Sequence, residues 1–217
     1  IDVLEPWTEI YVRSGVYQEN IEIDCENVTI HGLVQAGSDR VEISPVSGVP
    51  LKLSAGYSNI RGISVVSSDA NAIELTGPGH KLHDCYIECN NYAGPQISAI
   101  LLNDVDKSSI RDCHLNGKLG LNTIGIRVDG TLNASVDNVI ESNYFEKFGT
   151  VGVAGQGINL NNAQRCLILK NIFSSCYNAK GGNPSMPIFL TEIDAILTTP
   201  PGNLVYHLLL AAFIVAS

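Results

Sequence analysis

Short runs in which apolar and polar residues alternate recur along the chain, each followed by a polar turn. The stretch AIELTGPGHKLHDCYIECN (72–90) aligns without a gap on PLKLSAGYSNIRGISVVSS (50–68), so that Leu51 meets Ile73 and Ile60 meets Leu82. The paired positions share size and polarity although few of their letters are identical. Alternation with a period of two is typical of β-strands. Each run therefore predicts a short strand, and the alignment predicts that the strands repeat.

The same pattern continues over most of the chain with a spacing of 22 to 30 residues between repeats. A repeat of this length is typical of stacked architectures, and the Gly, Asn, Asp and Ser residues between the runs favour turns. Short strands that stack in parallel at about 4.8 Å per coil form a parallel β-helix, in which insertions bulge outward. Each repeat has one apolar residue at the same place in the pattern, which we call its anchor. The anchors are Ile30, Ile60, Leu82, Ile110, Ile140 and Ile168.

The predicted fold is therefore all-β: a single-stranded, right-handed parallel β-helix, or solenoid, of about six coils. We assign residues 1–176 to this domain. Residues 177–217 form a non-repeating C-terminal segment, in which the breaks NAKGGNPSMP and LTTPPGN flank strongly apolar stretches. The apolar content predicts that this segment either caps the open end of the β-helix or forms a contact between identical chains, as in a homotrimer.

Stacking also predicts columns of inward-facing side chains that match from one coil to the next. One such column places two thiols over each other and then two asparagines, whose amides can hydrogen-bond as a ladder. In a second column Phe145 should stack on Phe173, and only Gln35 interrupts the apolar residues. The first column contains Leu33, Ile63, Cys85, Cys113, Asn143 and Asn171. The second contains Gln35, Val65, Ile87, Leu115, Phe145 and Phe173.

The opening coil, IYVRSGVYQENIEIDCENVTIHGL (10–33), resembles that of the pectin-lyase-like right-handed β-helix superfamily. It is similar both to pectin methylesterases and to the sugar-binding β-helix repeats of phage tail spikes, and the resemblance covers roughly residues 9–176. It implies the β-helix fold, whereas one fold hosts many activities. The catalytic Gln and Asp stretches of pectinesterases have no counterpart here, nor do the paired-Asp and Gly-His-Gly motifs of polygalacturonases. The nearest approach to the last of these is GPGHK (77–81).

Two outward-facing rows supply the candidate binding residues. The row with Tyr86, His114 and Tyr144 places three rings on successive coils, and sugar rings pack against aromatic faces. Arg111 and Glu141, in the neighbouring row, would hydrogen-bond sugar hydroxyls. The alternative is that these tyrosines are ordinary exposed strand residues, because Tyr has a high β-propensity.

Asp84 and Asp112 are the candidate catalytic residues. They occupy equivalent positions on adjacent coils, so their carboxylates would lie about 5 Å apart, near the separation in a retaining glycosidase. Two carboxylates this close would raise one pKa and so supply an acid beside a base. The alternative is that Asp simply turns the backbone here, as Gly62 and Ser142 do in neighbouring coils.

Composition and charge argue against several kinds of binding partner. The net charge of −9 argues against nucleic acid, which requires a basic surface, and gives no attraction to anionic membranes. The apolar run 204–216 is shorter than the ~20 residues that span a bilayer, so no membrane insertion is expected. Six cysteines are too few for a disulfide framework, and none forms a CxxC pair. NDVDK (103–107) carries too few oxygen ligands for calcium, so no metal or cofactor is expected.

Two functions follow from these observations. The first is an extracellular or virion-associated module that binds a polysaccharide or cell-surface glycan, such as part of a phage tail spike, a tail fibre or an adhesin. The absence of a recognised catalytic motif favours it. The second is a polysaccharide-degrading enzyme, either a glycoside hydrolase or a polysaccharide lyase, in which Asp84 and Asp112 are the carboxylates.

Overall fold

The computed structural model describes residues 4–33, 40–90, 95–118, 122–149, 155–174 and 176, together with the backbone of 188–198. All regular structure in these residues is β-strand, and none of them forms a helix that could cross a membrane. In chain order the strands are β1 (Glu9–Arg13), β2 (Gly15–Tyr17), β3 (Ile21–Ile23), β4 (Thr29–Leu33), β5 (Val41–Ile43), β6 (Leu51–Leu53), β7 (Asn59–Arg61), β8 (Ser64–Ser67), β9 (Ile73–Leu75), β10 (Lys81–His83), β11 (Tyr86–Cys89), β12 (Ile97–Asn103), β13 (Ser109–Arg111), β14 (His114–Asn116), β15 (Thr123–Asp129), β16 (Ser135–Val136), β17 (Val139–Glu141), β18 (Tyr144–Glu146), β19 (Gln156–Leu169), β20 (Ile172–Ser174) and β21 (Ile188–Thr198).

The strands stack into a parallel β-solenoid with three faces. Each turn of the chain contributes one strand to each face, and all strand pairs are parallel. The first face contains β1, β4, β7, β10, β13, β17 and the end of β19, and the second contains β2, β5, β8, β11, β14, β18 and β20. The third contains β3, β6, β9, β12, β15 and the start of β19. Because β19 runs around a corner, it joins the first and third faces into one sheet.

The predicted anchors pair in register along the first face. Ile60 pairs with Ile30 on one side and with Leu82 on the other, and the series continues to Ile168. All six anchors are 5% exposed or less, so they form the apolar interior. They enclose five turns of the solenoid, which confirms the predicted all-β stacked fold.

The second inward column is confirmed from Val65 onward, and Phe145 stacks on Phe173 with ring centroids 4.7 Å apart. Its N-terminal end was predicted wrongly, because Ile43 rather than Gln35 pairs with Val65. Leu33 does not face inward either, since it is 41% exposed. The sequence between β4 and β5 is longer than the sequence between β7 and β8 in the next coil. β4 therefore continues to Leu33, and the second face begins only at β5. Gln35 itself lies outside the described residues.

The asparagine ladder is present in the interior. The Asn143 amide donates to Asn171 Oδ1 over 3.0 Å, and the Asn171 amide donates to the carbonyl of Ile140 over 2.8 Å. Asn143 Oδ1 also accepts the backbone N–H of Cys113. Each side chain thus hydrogen-bonds the backbone at the corner between the first and second faces, where no regular strand pairing is available. The ladder therefore holds successive coils together at this corner.

A further inward column, immediately before the first-face strands, contains a wholly buried histidine. His80 is 0% exposed, its Nε2–H donates to the carbonyl of Thr76 and its backbone N–H donates to Ser108 Oγ. Burial lowers the pKa of His80 from its usual value. The GPGHK stretch thus directs its imidazole into the solenoid, away from any ligand surface.

This burial makes stability depend on pH. A histidine whose pKa is lower in the folded state than in the unfolded chain binds more protons when unfolded, so stability rises with pH in this window. We expect the free energy of unfolding to be fully developed above about pH 6.5 and to fall below it, by at most about 1.4 kcal/mol per pH unit from this group. Urea unfolding between pH 7.5 and 5 measures the slope. His80→Gln should flatten it, and an equal slope in the wild-type protein and in His80→Gln would contradict this assignment.

The C-terminal segment contributes one described strand. β21 pairs in parallel with β19 along nearly its whole length, from Ile158 opposite Ile188 to Leu169 opposite Thr198. The other residues of 177–217, including the apolar run 204–216, lie outside the described residues. The domain boundary at 176 and the capping or trimeric role of this segment remain predictions.

Candidate functional site

Three rings lie side by side on the outward surface of the second face. Tyr86 on β11 pairs with His114 on β14, which pairs with Tyr144 on β18. The centroids of Tyr86 and His114 are 5.1 Å apart, those of His114 and Tyr144 are 5.0 Å apart, and both contacts are edge-to-face. Edge-to-face contacts are favourable between aromatic rings. The predicted row therefore exists, and its rings are half-buried against one another.

A polar row, which we call the carboxylate row, runs beside the rings. It consists of Glu88, Asn116 and Glu146, which lie two residues beyond the three rings and pair with one another across β11, β14 and β18. Since side chains two residues apart on a strand point to the same side, the carboxylate row shares the outward surface with the rings. The second face thus presents two parallel lines of functional groups along the solenoid axis.

Hydrogen bonds join the two rows. The Tyr86 hydroxyl donates to Glu88 over 2.8 Å, and His114 Nε2 lies 3.1 Å from a Glu146 oxygen. The Asn116 amide lies between them, 3.4 Å from the Tyr86 hydroxyl and 3.5 Å from Glu146. These contacts hold the polar ends of the rings in fixed positions. The surface is therefore ordered before any ligand binds, which reduces the entropy lost on binding.

Cations border this surface. Lys118 pairs with Glu88 over 3.3 Å and Lys147 pairs with Glu146. The guanidinium of Arg40 lies 4.8 Å from the centroid of the Tyr86 ring, a cation–π contact that covers one face of that ring. The carboxylates are therefore locally neutralised although the whole chain is acidic.

The titration behaviour of two groups reflects these contacts. Burial, followed by the hydrogen bond to Glu88, raises the pKa of Tyr86 to about 12, so the phenol remains a neutral donor at physiological pH. The hydrogen bond from Lys147 lowers the pKa of Glu146, and the contact with His114 acts in the same direction. The surface therefore combines an ionised acceptor, Glu146, with a neutral phenol whose proton is donated to Glu88.

Arg111 and Glu141, the other predicted binding residues, lie on the first face. They pair in register across β13 and β17, and their side chains form an ion pair of 3.3 Å. Lys170 also approaches Glu141, at 3.4 Å. Both predicted groups are thus engaged with each other, around the corner from the rings.

Asp84 and Asp112 occupy the corner between the first and second faces. Both have a left-handed backbone, with φ of 53° and 51°, and the equivalent Gly62, Ser142 and Lys170 have φ of 66°, 57° and 53°. Gly and Asp tolerate this conformation better than most residues. Asp84 contacts the ring of His83 at 3.2 Å and its side chain is 69% exposed. The corner geometry thus agrees with the turn interpretation, and the catalytic role remains a prediction.

The acidic NDVDK turn has a structural role. Asp104 accepts the backbone N–H groups of Leu132 and Asn133 and the hydroxyl of Thr131, all in the loop of the next coil. Asp106 accepts the N–H of Val136 in β16. Burial acts to raise the pKa of Asp104, but the N–H groups of Asn133 and Leu132 outweigh it and the net direction is downward. Across the described part of the chain, no cluster of three or more His, Cys, Asp or Glu side chains could hold a metal ion.

Sequence reasoning missed the carboxylate row and Arg40. Glu88 and Glu146 follow Tyr86 and Tyr144 by two residues, and this alternation was the signal that could have identified them. Arg40 could not have been found in this way, because it belongs to the insertion that precedes β5. Comparison of the chain with protein-family models, with curated proteins and with solved structures gave no match.

Proposed function

We propose that the chain is a glycan-binding β-helix module of the pectin-lyase-like type, working outside the cell or on a virion as part of a tail spike, a tail fibre or an adhesin. The observation that carries the proposal is the double row on the second face. Rings on three successive coils lie beside a carboxylate row that is already ordered by hydrogen bonds. Rings combined with fixed polar groups suit a ligand that has both C–H faces and hydroxyls.

The spacing of the rows also fits an extended glycan. Successive coils are about 4.8 Å apart, which is close to the length of one sugar unit, so a chain of sugars could run along the solenoid axis. Each unit would meet one ring, and two of the units would also meet Glu88 or Glu146, whereas Asn116 is only 6% exposed. Glu88 and Glu146 can accept hydrogen bonds, and the ammonium groups of Lys118 and Lys147, each with three N–H donors, can donate. A polar surface of this kind binds through many modest contacts rather than through one deep pocket.

Removing two rings tests this proposal. We expect the double variant Tyr86→Ala, Tyr144→Ala to bind its glycan about 5- to 150-fold more weakly, since each ring contact contributes about 0.5–1.5 kcal/mol beyond its buried area. A glycan array identifies the ligand of the wild-type protein, and calorimetry with that ligand measures the affinity. Circular dichroism should show the same β content in both proteins.

Tyr11→Ala is the matched control. Tyr11 is an exposed aromatic residue on the first face, where it stacks on His31 with centroids 4.9 Å apart. Its removal should leave glycan affinity unchanged. Unchanged affinity in the double variant, or an equal loss in Tyr11→Ala, would show that the second face is not the binding surface.

A further inference from the structure

Two thiols lie one above the other inside the solenoid. The strands on either side of them fix their alignment, because His83 pairs with Arg111 and Tyr86 pairs with His114. Cys85 and Cys113 therefore occupy the same position of successive coils, and they are 3% and 2% exposed. The predicted thiol stack is thus present, and both residues are free thiols.

The two side chains contact each other as well as the backbone. The two sulfurs are close enough for each side chain to shift the pKa of the other. The two thiols also contact backbone carbonyls two residues earlier, Cys85 that of His83 at 3.3 Å and Cys113 that of Arg111 at 3.1 Å. Cys89, by comparison, is buried but pairs across the strands with Ser67.

We propose that Cys85 and Cys113 are a redox pair that closes to a disulfide across two coils when the protein meets a two-electron oxidant such as hydrogen peroxide. One thiolate attacks the peroxide, its O–O bond breaks, and a sulfenic acid and water are formed. The second thiol then attacks the sulfenic sulfur, the S–O bond breaks, and a second water leaves. Overall, two thiols and one peroxide give one disulfide and two waters, and the two electrons pass from sulfur to oxygen.

The register permits this bond. Residues in the same position of neighbouring coils have Cα atoms about 4.8 Å apart, within the range of about 4.4–6.8 Å found for disulfides. Within the pair, the neighbouring Cys113 thiol lowers the pKa of Cys85 against the effect of burial, whereas the Cys85 thiol and burial raise the pKa of Cys113.

The bond would act on the proposed binding surface. Tyr86 and His114 directly follow the two cysteines and are in edge-to-face contact. A covalent link beneath them would fix the separation of the two coils that carry these rings. This consequence depends on the proposed glycan binding, but formation of the disulfide does not.

Peptide mapping tests the proposal directly. The half-buried thiols Cys25 and Cys176 are first blocked with iodoacetamide under native conditions. The protein is then treated with hydrogen peroxide, denatured, and labelled with N-ethylmaleimide. Before the second label is added, we expect the intact mass to be about 2 Da lower than that of the same alkylated protein without peroxide, because two hydrogens are lost. We also expect tryptic peptide 82–107 to be linked to peptide 112–118, and dithiothreitol should separate them.

Two variants assign the linkage. Peptide 82–107 contains both Cys85 and Cys89, so Cys89→Ser should retain the linked species and Cys113→Ser should abolish it. An unblocked sample serves as the control for the oxidant: the peroxide dose is raised until its half-buried thiols are fully oxidised. The proposal is overturned if the wild-type peptides are still unlinked at that dose. It is also overturned if Cys89→Ser removes the link. Because the wild-type map is decisive alone, a variant that fails to fold does not affect the result.

Discussion

Replacing Phe145 with alanine should lower the free energy of unfolding by about 3–5 kcal/mol, the cost of removing a buried phenylalanine from a packed interior. Phe145 is 0% exposed, and it contacts rings on two sides: Phe173 at 4.7 Å and Phe148 at 6.3 Å between centroids. The backbone of Gly125 packs against a third side, since a Cβ built there would lie 2.5 Å from the Phe145 ring. The space left by the ring therefore cannot close easily. Urea unfolding followed by circular dichroism measures the change.

Phe173→Ala is the matched control because it removes the other member of the same stack. Phe173 is only partly buried against the core, so its loss should cost clearly less. The sequence alone gives both residues the same inward position and would predict equal costs. If the two variants lose equal stability, or if Phe145→Ala loses less than Phe173→Ala, the packing around Phe145 is not as described.

The strand register was predictable because a β-solenoid repeats one constraint many times. Each inward side chain must match its neighbours on two coils, so Ile60, Leu82 and Ile110 fall into line even though the spacing between repeats varies. The asparagine pair was predictable for the same reason, since a buried amide needs a partner at the same level. The prediction failed at Gln35, because an insertion before β5 places Ile43 opposite Val65 instead. No repeated residue in the sequence indicates where this insertion lies.

The candidate site was predictable only in part. The alternation along a strand placed Tyr86, His114 and Tyr144 outward on one face, and they do lie there in contact. It could not show how their polar ends are held, because that depends on side chains such as Glu88 whose conformation the neighbouring coil determines. The pairing of Arg111 with Glu141 was missed for the same reason. Outward side chains are not limited to one packing arrangement, so their contacts cannot be derived from periodicity.

Replacing Asn143 with alanine should have the second large effect, a loss of about 3–5 kcal/mol. Its amide donates to the carbonyl of Ile110 over 2.9 Å and to Asn171 Oδ1 over 3.0 Å, and its own Oδ1 accepts the N–H of Cys113 over 3.0 Å. The residue is 1% exposed, so no solvent can replace these bonds. Each buried group left without a partner costs about 1–3 kcal/mol. Chemical denaturation measures the loss.

Two further variants separate the ladder from a general effect of losing an amide. Asn159→Ala removes a partly buried asparagine whose hydrogen bond, to Gln156, lies outside the inward columns, and it should cost under about 1 kcal/mol.

Asn143→Asp keeps the acceptor for Cys113 but places a carboxylate opposite the Ile110 carbonyl and Asn171 Oδ1, both of which are acceptors. The aspartate should therefore be protonated in the folded state, with a pKa raised above that of the unfolded chain. Its stability should then fall as the pH rises above about 4, a dependence that Asn143→Ala lacks. Equal losses in Asn143→Ala and Asn159→Ala, or a pH-independent Asn143→Asp, would mean that the ladder does not hold the corner together.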